Sequence, residues 1–331
     1  MSDISLYRKY RPNNFDNLIG QDHVKNTLIN AIKNNSIAHA YLFTGPRGTG
    51  KTSTARLIAK ALLCENLKNN YEPCDNCELC NDISNGRLID LIEIDAASNR
   101  GIDEVRDLKE KIKFAPSRAK YKVYIIDEVH MMTKEAFNAL LKTLEEPPSH
   151  AYFILATTEI HKIPDTIISR CQRFDFKRIS EECLITRLNY IAKKESVEAD
   201  PKALEIISHY VNGGLRDAIG LFEQLTINKK LSFEHVKEIL AVTDNSLLEN
   251  LLDYLKNEET SKALSIINDV YGQGSNLKQF THELIELLRE KMIENISTNT
   301  VESKKYLEMI EFFQEAQKNL DSSIPQLSLE I

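Results

Sequence analysis

Gly45-Pro46-Arg47-Gly48-Thr49-Gly50-Lys51-Thr52 reads G-x-x-x-x-G-K-T, the spacing of a phosphate-binding loop. The apolar run Ala40-Tyr41-Leu42-Phe43 precedes it, and a helical pattern from Thr52 to Leu63 follows, with Leu57, Ile58, Ala61 and Leu62 at apolar positions. Strand, loop and helix in that order put a phosphate tail at a helix N-terminus, where unpaired N–H groups and the helix dipole favour negative charge. Lys51 then reaches the β- and γ-phosphates of a nucleotide, and Thr52 offers its hydroxyl to Mg²⁺. A glycine-rich turn is the bland alternative.

A second stretch strengthens the first. Lys122-Val123-Tyr124-Ile125-Ile126-Asp127-Glu128 is an apolar strand ending in two acids. Alone it is a weak signal, but after a complete phosphate loop it reads as a Walker B strand. Asp127 helps hold Mg²⁺, and Glu128 polarises the water that attacks the γ-phosphate in line. Further strands are expected at Leu88 to Asp95, Tyr152 to Thr157 and Arg173 to Lys177. Helices are expected from about Asp22 to Lys33, from Asp103 with Val105, Leu108 and Ile112, and along Phe137, Leu140, Leu141 and Leu144 as far as Pro147-Pro148. Strands alternating with helices at this spacing indicate a mostly parallel sheet covered on both faces. Ligands then belong at its C-terminal edge, where Lys51, Asp95, Asp127 and Thr157 all fall.

After about residue 178 the strand signal fades. Ser180 to Lys193, Pro201 to Tyr210 and Leu215 to Leu225 read as helices, interrupted by Asn212-Gly213-Gly214. A further helical set runs from about Phe233 to near the end, with polar breaks near Thr243 to Ser246, Gly272 to Ser275 and Ile296 to Val301. Such a region reads as a lid and an assembly domain. The first twenty residues read as an irregular polar arm with basic and aromatic side chains, Tyr7 to Pro12, fit for DNA or for strapping a nucleotide base.

Four of the six cysteines fall between Cys64 and Cys80. Cys74, Cys77 and Cys80 repeat a C-x-x-C spacing, and Cys64 closes a tetrahedral sulfur site if the last cysteine opens a short helix. A site with no open position is structural, and Zn²⁺ is the first reading. An iron–sulfur cluster and four free buried cysteines are the others.

The 331-residue chain is 42% hydrophobic and 27% charged, with a formal net charge of -7. That suits two or three soluble domains and argues against a broadly basic surface, though a local basic path for nucleic acid stays open. No apolar run approaches the length of a membrane span, and no secretory signal stands at the start. A cytoplasmic location without a membrane partner is expected.

Several motifs together resemble the gamma/tau family of bacterial DNA polymerase III, AAA+ ATPases that drive sliding-clamp loaders. They are Tyr10-Arg11-Pro12 with Phe15, Ile19-Gly20-Gln21, His39 to Phe43, the phosphate loop and Asp127-Glu128-Val129-His130-Met131. To these are added Phe137 to Pro148, Ala156-Thr157-Thr158, Ser169-Arg170-Cys171 and Gly213-Gly214-Leu215-Arg216-Asp217. The resemblance covers essentially the whole chain.

It implies a RecA-like α/β domain with a parallel sheet at 1–178, interrupted by the zinc insertion 64–80. An α-helical lid follows at 179–242, and then an α-helical collar at 243–331 whose last part is cut short beyond Pro325. Phosphates would be held by Gly45 to Thr52 and Ser53. Adenine would be held by the arm with Tyr7 and Arg11 and by Ile19-Gly20. Thr157 would sense the γ-phosphate, Arg216 would do so from the lid, and Arg170 would reach the ATP of a neighbouring subunit. Implied cofactors are ATP, Mg²⁺ at Thr52 and Asp127, and Zn²⁺ at Cys64, Cys74, Cys77 and Cys80. Implied partners are further gamma/tau copies with delta and delta-prime in a pentameric loader, the beta sliding clamp, and primer–template DNA. The chain carries no polymerase chemistry of its own. A metabolic P-loop kinase leaves Arg170 and the collar unexplained, and a scaffold that no longer hydrolyses sits poorly with intact Lys51, Thr52, Asp127 and Glu128.

Overall fold

A computed structural model describes residues 5–98, 108, 110–240, 245–272, 276–296, 300–320 and 327–330. The loop Asn99-Arg100-Gly101, the helix start at Asp103 with Val105, Thr243 and Pro325 lie outside the described residues. The chain divides into two compact units, Met1–Phe233 and Glu234–Ile331.

In the first unit, strands β1 (Ala40–Thr44), β2 (Leu91–Asp95), β3 (Lys122–Asp127), β4 (Ala151–Thr157) and β5 (Gln172–Asp175) form one sheet. Its order is β2-β3-β4-β1-β5, and every pairing is parallel. Parallel neighbours need crossovers, and the crossovers cover both faces with helices. Alternate residues therefore serve different cores. Tyr41, Phe43, Ile125 and Ile154 pack with Val24, Leu28 and Ile58 from the helices Asp22–Lys33 and Lys51–Leu63. Leu42, Tyr124, Ile126 and Leu155 pack instead with Phe137, Leu140 and Leu144 of the helix Lys134–Glu145. The register sets Thr44 beside Thr157 and Asp95 beside Asp127. The C-terminal ends of four strands thus share one edge.

Some expectations shift by a few residues for identifiable reasons. Strand β2 starts at Leu91 where Leu88 was expected, because the fully buried Asp90 turns its carboxylate into a loop. There it accepts bonds from the backbone N–H groups of Ser117, Arg118 and Ala119 at 2.8, 2.8 and 2.9 Å. Strand β3 stops at Asp127, since Glu128 adopts a left-handed conformation (φ 48, ψ 43). The arm contains a short helix, Leu6–Lys9.

The helices Glu181–Glu195, Pro201–Tyr210 and Leu215–Leu225 complete this unit. A two-residue parallel pairing of Glu198–Ala199 with Lys230–Leu231 accompanies them. The strand signal does not end at 178 after all, but two residues carry no readable period. Gly213 (φ +85) makes the preceding turn possible, and a Cβ there would stand 2.6 Å from Arg178 Cβ.

In the second unit, helices Asn245–Lys256, Thr260–Gly272, Leu277–Asn295 and Thr300–Lys318 and the short Leu327–Glu330 surround a core. Leu251, Phe280, Leu284, Leu288 and Tyr306 lie in that core. A break at Asn257 to Glu259, which the apolar pattern did not announce, is made by Glu258 in a left-handed conformation (φ 59). Among the described residues no helix is long and apolar enough to cross a membrane.

Candidate nucleotide-binding site

The phosphate loop leaves β1 at Thr44 and enters its helix through Gly50. Gly45 (φ +140) is fixed by a neighbour, since a Cβ there would lie 2.3 Å from the Phe176 carbonyl oxygen. Lys51, 6% exposed, folds back so that Nζ donates to the carbonyls of Gly45 at 2.7 Å and Pro46 at 2.8 Å. Burial pulls its ammonium below the ordinary range, against the attraction of Glu128 and Asp127. A cation desolvated this far gains from an anion that replaces the two carbonyls.

The two motifs meet directly. Thr52 Oγ1 donates to Asp127 Oδ2 at 2.7 Å, and Asp127 Oδ1 accepts from Glu128 N at 3.0 Å. Glu128 Oε2 accepts from Thr158 Oγ1 at 3.2 Å. These carboxylates keep acceptor capacity beyond the bonds they make.

A cleft of about 310 Å³ runs from this cluster toward the arm. Of the expected site residues it is lined by Tyr7, Arg11, Ile19, Arg47, Gly48, Thr49, Gly50, Lys51, Thr52, Ser53, Asp127, Glu128 and Arg216. Gly45 and Pro46 do not line it and act through their carbonyls on Lys51. Thr157 is fully buried just behind, with Oγ1 3.0 Å from His130 Nδ1 and accepting from Glu159 N at 3.0 Å. Arg216 lies over the Tyr7 ring, 4.8 Å from its centroid.

Arg170 stands apart from this cleft. It precedes β5 by two residues and pairs with Glu145, while Nη1 donates to the Thr166 carbonyl at 2.6 Å. Its buried Nε has no partner among the described residues.

The lid is tied to the loop and to the arm. Leu215 N donates to the Gly48 carbonyl at 3.1 Å. Leu6 N donates to Glu223 at 3.0 Å, Lys9 pairs with Glu195 at 2.7 Å, and Tyr10 donates to the same carboxylate. Burial and that carboxylate push the Tyr10 hydroxyl up to about 12. Gln21, 1% exposed, donates to the carbonyls of Thr49 at 3.3 Å and Lys177 at 2.7 Å, clamping the loop to the segment after β5.

Sequence reasoning missed Arg187, Ile179 and Ile219, which also line the cleft. Arg187 Nη2 donates to the Tyr10 carbonyl at 2.9 Å. Its only signal is position. It follows Leu184 by three residues and precedes Ile191 by four, on the buried side of its helix, where a cation needs a partner.

The four cysteines form a separate cluster. Their Sγ atoms all lie within 4.8 Å of one another, with Cys74 and Cys80 at 3.9 Å. Thiolates 2.3 Å from one zinc stand about 3.8 Å apart, so the residues fit that ion. Cys77 caps the helix Glu78–Ser84 and accepts from Cys80 N at 3.4 Å, so the last cysteine does sit in a helix's first turn. Burial pushes the Cys64 and Cys80 thiols up, whereas at Cys74 the backbone N–H groups of Asn76 and Cys77 outweigh burial and bring the thiol down to about 6.

Comparison with known proteins finds family matches over three segments of the chain. Residues 20–180 match a family described as "DNA polymerase III, delta subunit", and residues 184–227 match "DNA polymerase III clamp loader subunit, ATPase lid domain". Residues 231–328 match "DNA polymerase III subunits gamma and tau domain III". The chain is 48% identical over 296 residues to DNA polymerase III subunit tau of Bacillus subtilis, covering 88% of this chain and 52% of that protein. It is 41% identical over 290 residues to the tau subunit of Escherichia coli, covering 87% and 45%. It is also 41% identical over 286 residues to the gamma subunit of Buchnera aphidicola subsp. Schizaphis graminum, covering 86% and 78%. The chain therefore spans about half the length of the tau relatives. The Thermotoga maritima RuvB Holliday junction branch migration motor is similar in fold, with a TM-score of 0.52 at 18% identity over 81% of this chain and 86% of that one.

Proposed function

The chain belongs to the DNA polymerase III gamma/tau family, and from that premise we propose that it is an ATP-hydrolysing motor subunit of a sliding-clamp loader. The observation that carries the ATPase reading is the 2.7 Å bond between Thr52 and Asp127, which joins the phosphate loop to the Walker B strand at the floor of the cleft.

The cleft accepts a nucleotide with its phosphates on Gly45 to Ser53 and its base between the arm and the lid. Lys51 releases its carbonyl partners and holds the terminal phosphates. Thr52 and Asp127 would hold Mg²⁺, which supplies charge neutralisation on those phosphates. Glu128 accepts the proton of the water that attacks the γ-phosphorus in line, and ADP leaves. Thr157 and Arg216 read the terminal phosphate from the sheet and from the lid.

Arg170 supports a trans assignment, because it lies off its own cleft and its charge partner is the half-exposed carboxylate of Glu145, from which it can part. A guanidinium lent to a neighbour ties hydrolysis to assembly. On this reading residues 1–178 are the nucleotide domain, 179–242 the lid and 243–331 the collar that joins copies of the chain. Delta and delta-prime subunits complete a pentamer that opens the beta clamp on primer–template DNA in the cytoplasm. The four cysteines hold one structural Zn²⁺.

The test is ATP turnover by the purified chain, alone and with clamp, partner subunits and primer–template DNA. Turnover that rises with the full set is expected. Turnover indifferent to every addition would leave an ATPase without the loader role.

A further inference from the structure

His130 belongs to none of the roles assigned so far, yet its side chain is 6% exposed and touches polar groups on both sides. Nδ1 lies 3.0 Å from Thr157 Oγ1 and 3.4 Å from Glu128 Oε2. Nε2 lies 3.2 Å from Glu159 Oε1. The circuit continues through Glu159 N, which donates to Thr157 at 3.0 Å, and through Thr158, which donates to Glu128 at 3.2 Å. Glu128 itself is held left-handed (φ 48), a conformation that persists only where its surroundings over-determine it. A histidine kept for packing would be surrounded by apolar atoms, whereas this ring is shared between Glu128, which lines the cleft, and Thr157, which is buried beside it.

We propose that His130 is a positioning residue that couples contact with the γ-phosphate at Thr157 to the setting of the Glu128 carboxylate; the inference rests on the nucleotide reading of the cleft. The rigid ring suits the task, because its two nitrogens keep a fixed separation and fixed directions. Glu159 holds the ring by Nε2 and leaves Nδ1 between Thr157 and Glu128. Glu159 can only accept, which fixes the ring's proton on Nε2, so Nδ1 accepts from the Thr157 hydroxyl. When a phosphate oxygen takes that hydroxyl instead, the Nδ1 lone pair faces the Glu128 carboxylate alone and repels it toward the attacking water. With no terminal phosphate the ring stays on Thr157, and Glu128 stays on Thr158.

The experiment is single-turnover hydrolysis with nucleotide titration in the reconstituted loader, for wild type, His130→Ala, His130→Asn, His130→Gln, Thr157→Val and the double variant His130→Ala/Thr157→Val. His130→Ala should slow hydrolysis by roughly 100-fold, the scale of a small misplacement at a reacting centre, while ATP affinity moves by less than about twofold. His130→Asn, whose amide reaches the Nδ1 position, should recover most of the rate, and His130→Gln should not. The double variant should be no slower than Thr157→Val. A wild-type rate in His130→Ala, a loss explained by weaker ATP binding, or penalties that multiply in the double variant would each overturn the coupling. If the Ala variant melts below the assay temperature, the Asn and Gln variants decide, and equal rates in those two overturn it. Lys51→Ala run beside them separates the premise: unchanged ATP binding there would remove the nucleotide reading itself.

Discussion

The two edges of the same parallel sheet treat their polar residues differently. At the edge where the strands begin, side chains are used up by backbone. Asp90 accepts from three amides. Lys122 donates to the Lys111 carbonyl at 3.1 Å, and His39 and His150 each meet a carbonyl at 3.1 Å. At the edge where the strands end, side chains bond to one another as well as to backbone: Thr52 to Asp127, Thr158 to Glu128, His130 to Thr157. None of Asp90, Lys122, His39 and His150 lines the cleft, so the first edge is finished architecture. Side-chain partners can exchange, so the second can admit a ligand.

Arg170 is the exception that tests this division most severely. It stands at the finished edge, beside the start of β5, yet its main partner is the half-exposed carboxylate of Glu145. If it is built to serve another subunit, Arg170→Ala should lower hydrolysis at the neighbour's site by roughly 1,000-fold or more, as trans arginines do in related P-loop systems. Its own ATP affinity should stay unchanged. Loaders carrying one active phosphate loop at a defined position locate the defect. A loss confined to the subunit that carries the substitution would return Arg170 to the structural side of the comparison.

Next in size is the open edge itself. Glu128→Gln keeps shape and Thr158 contact but loses the base, so hydrolysis should fall by about 100- to 10,000-fold with ATP binding retained. Lys51→Ala should instead weaken binding. Equilibrium titration beside single-turnover hydrolysis distinguishes them, and equal loss of binding in both would blur the roles assigned to this edge.

These residues were readable because each belongs to a run with fixed spacing. The loop from Gly45 to Thr52 and the strand ending at Asp127-Glu128 carry their geometry in consecutive residues, and so do the three C-x-x-C cysteines. Alternating apolar runs likewise place the strands and most helix bounds, Pro201–Tyr210 and Leu215–Leu225 among them. What the sequence hid is assembled at a distance. Arg187 enters the cleft because the lid folds over the arm, and His130 gains its partners from the end of β4. The late start of β2 depends on amides 27 to 29 residues beyond Asp90. No local pattern announces a bond across that separation.

The cysteine cluster should behave like the finished edge. It is bound to the phosphate-loop helix far from Thr52, through Lys60, which pairs with Asp75 and donates to Ser84 at 3.0 Å. Elemental analysis is expected to give about one zinc per chain with sulfur ligands at roughly 2.3 Å. Cys80→Ser should release the metal and cost on the order of 3 kcal/mol of stability. ATP affinity measured below the new melting temperature should be unchanged. Iron in place of zinc, or a nucleotide affinity that follows metal content, would contradict a closed structural site.

The smallest effect is expected at Asp90, and it bears on the comparison most directly because Asp127 and Glu128 are carboxylates of the same sheet. Burial alone would raise the Asp90 carboxyl, but the amides of Ser117, Ala119 and Arg118, with Lys122 nearby, hold it below the usual carboxylate range. Asn at this position can face the donors with one oxygen only, so its NH₂ group meets at least one N–H head-on. The variant should lose about 2 kcal/mol, the scale of charge-assisted bonds left unmade in a buried place. The sign of the pH dependence follows from the lowered value. The folded state binds the proton less readily than the unfolded chain, so the stabilisation is complete above the unfolded carboxyl's range near pH 4 and fades as pH falls through the folded one. Denaturant unfolding of wild type and Asp90→Asn should therefore differ at pH 7, and the gap should begin to narrow only below about pH 4, closing as pH falls through the lower folded-state value. ATP binding by the folded variant should match wild type, since Asp90 lies at the opposite end of β2 from the cleft-lining Asp95. A stability gap that widens on acidification, or a loss of ATP affinity with the fold intact, would mean that the two edges are not divided between architecture and chemistry.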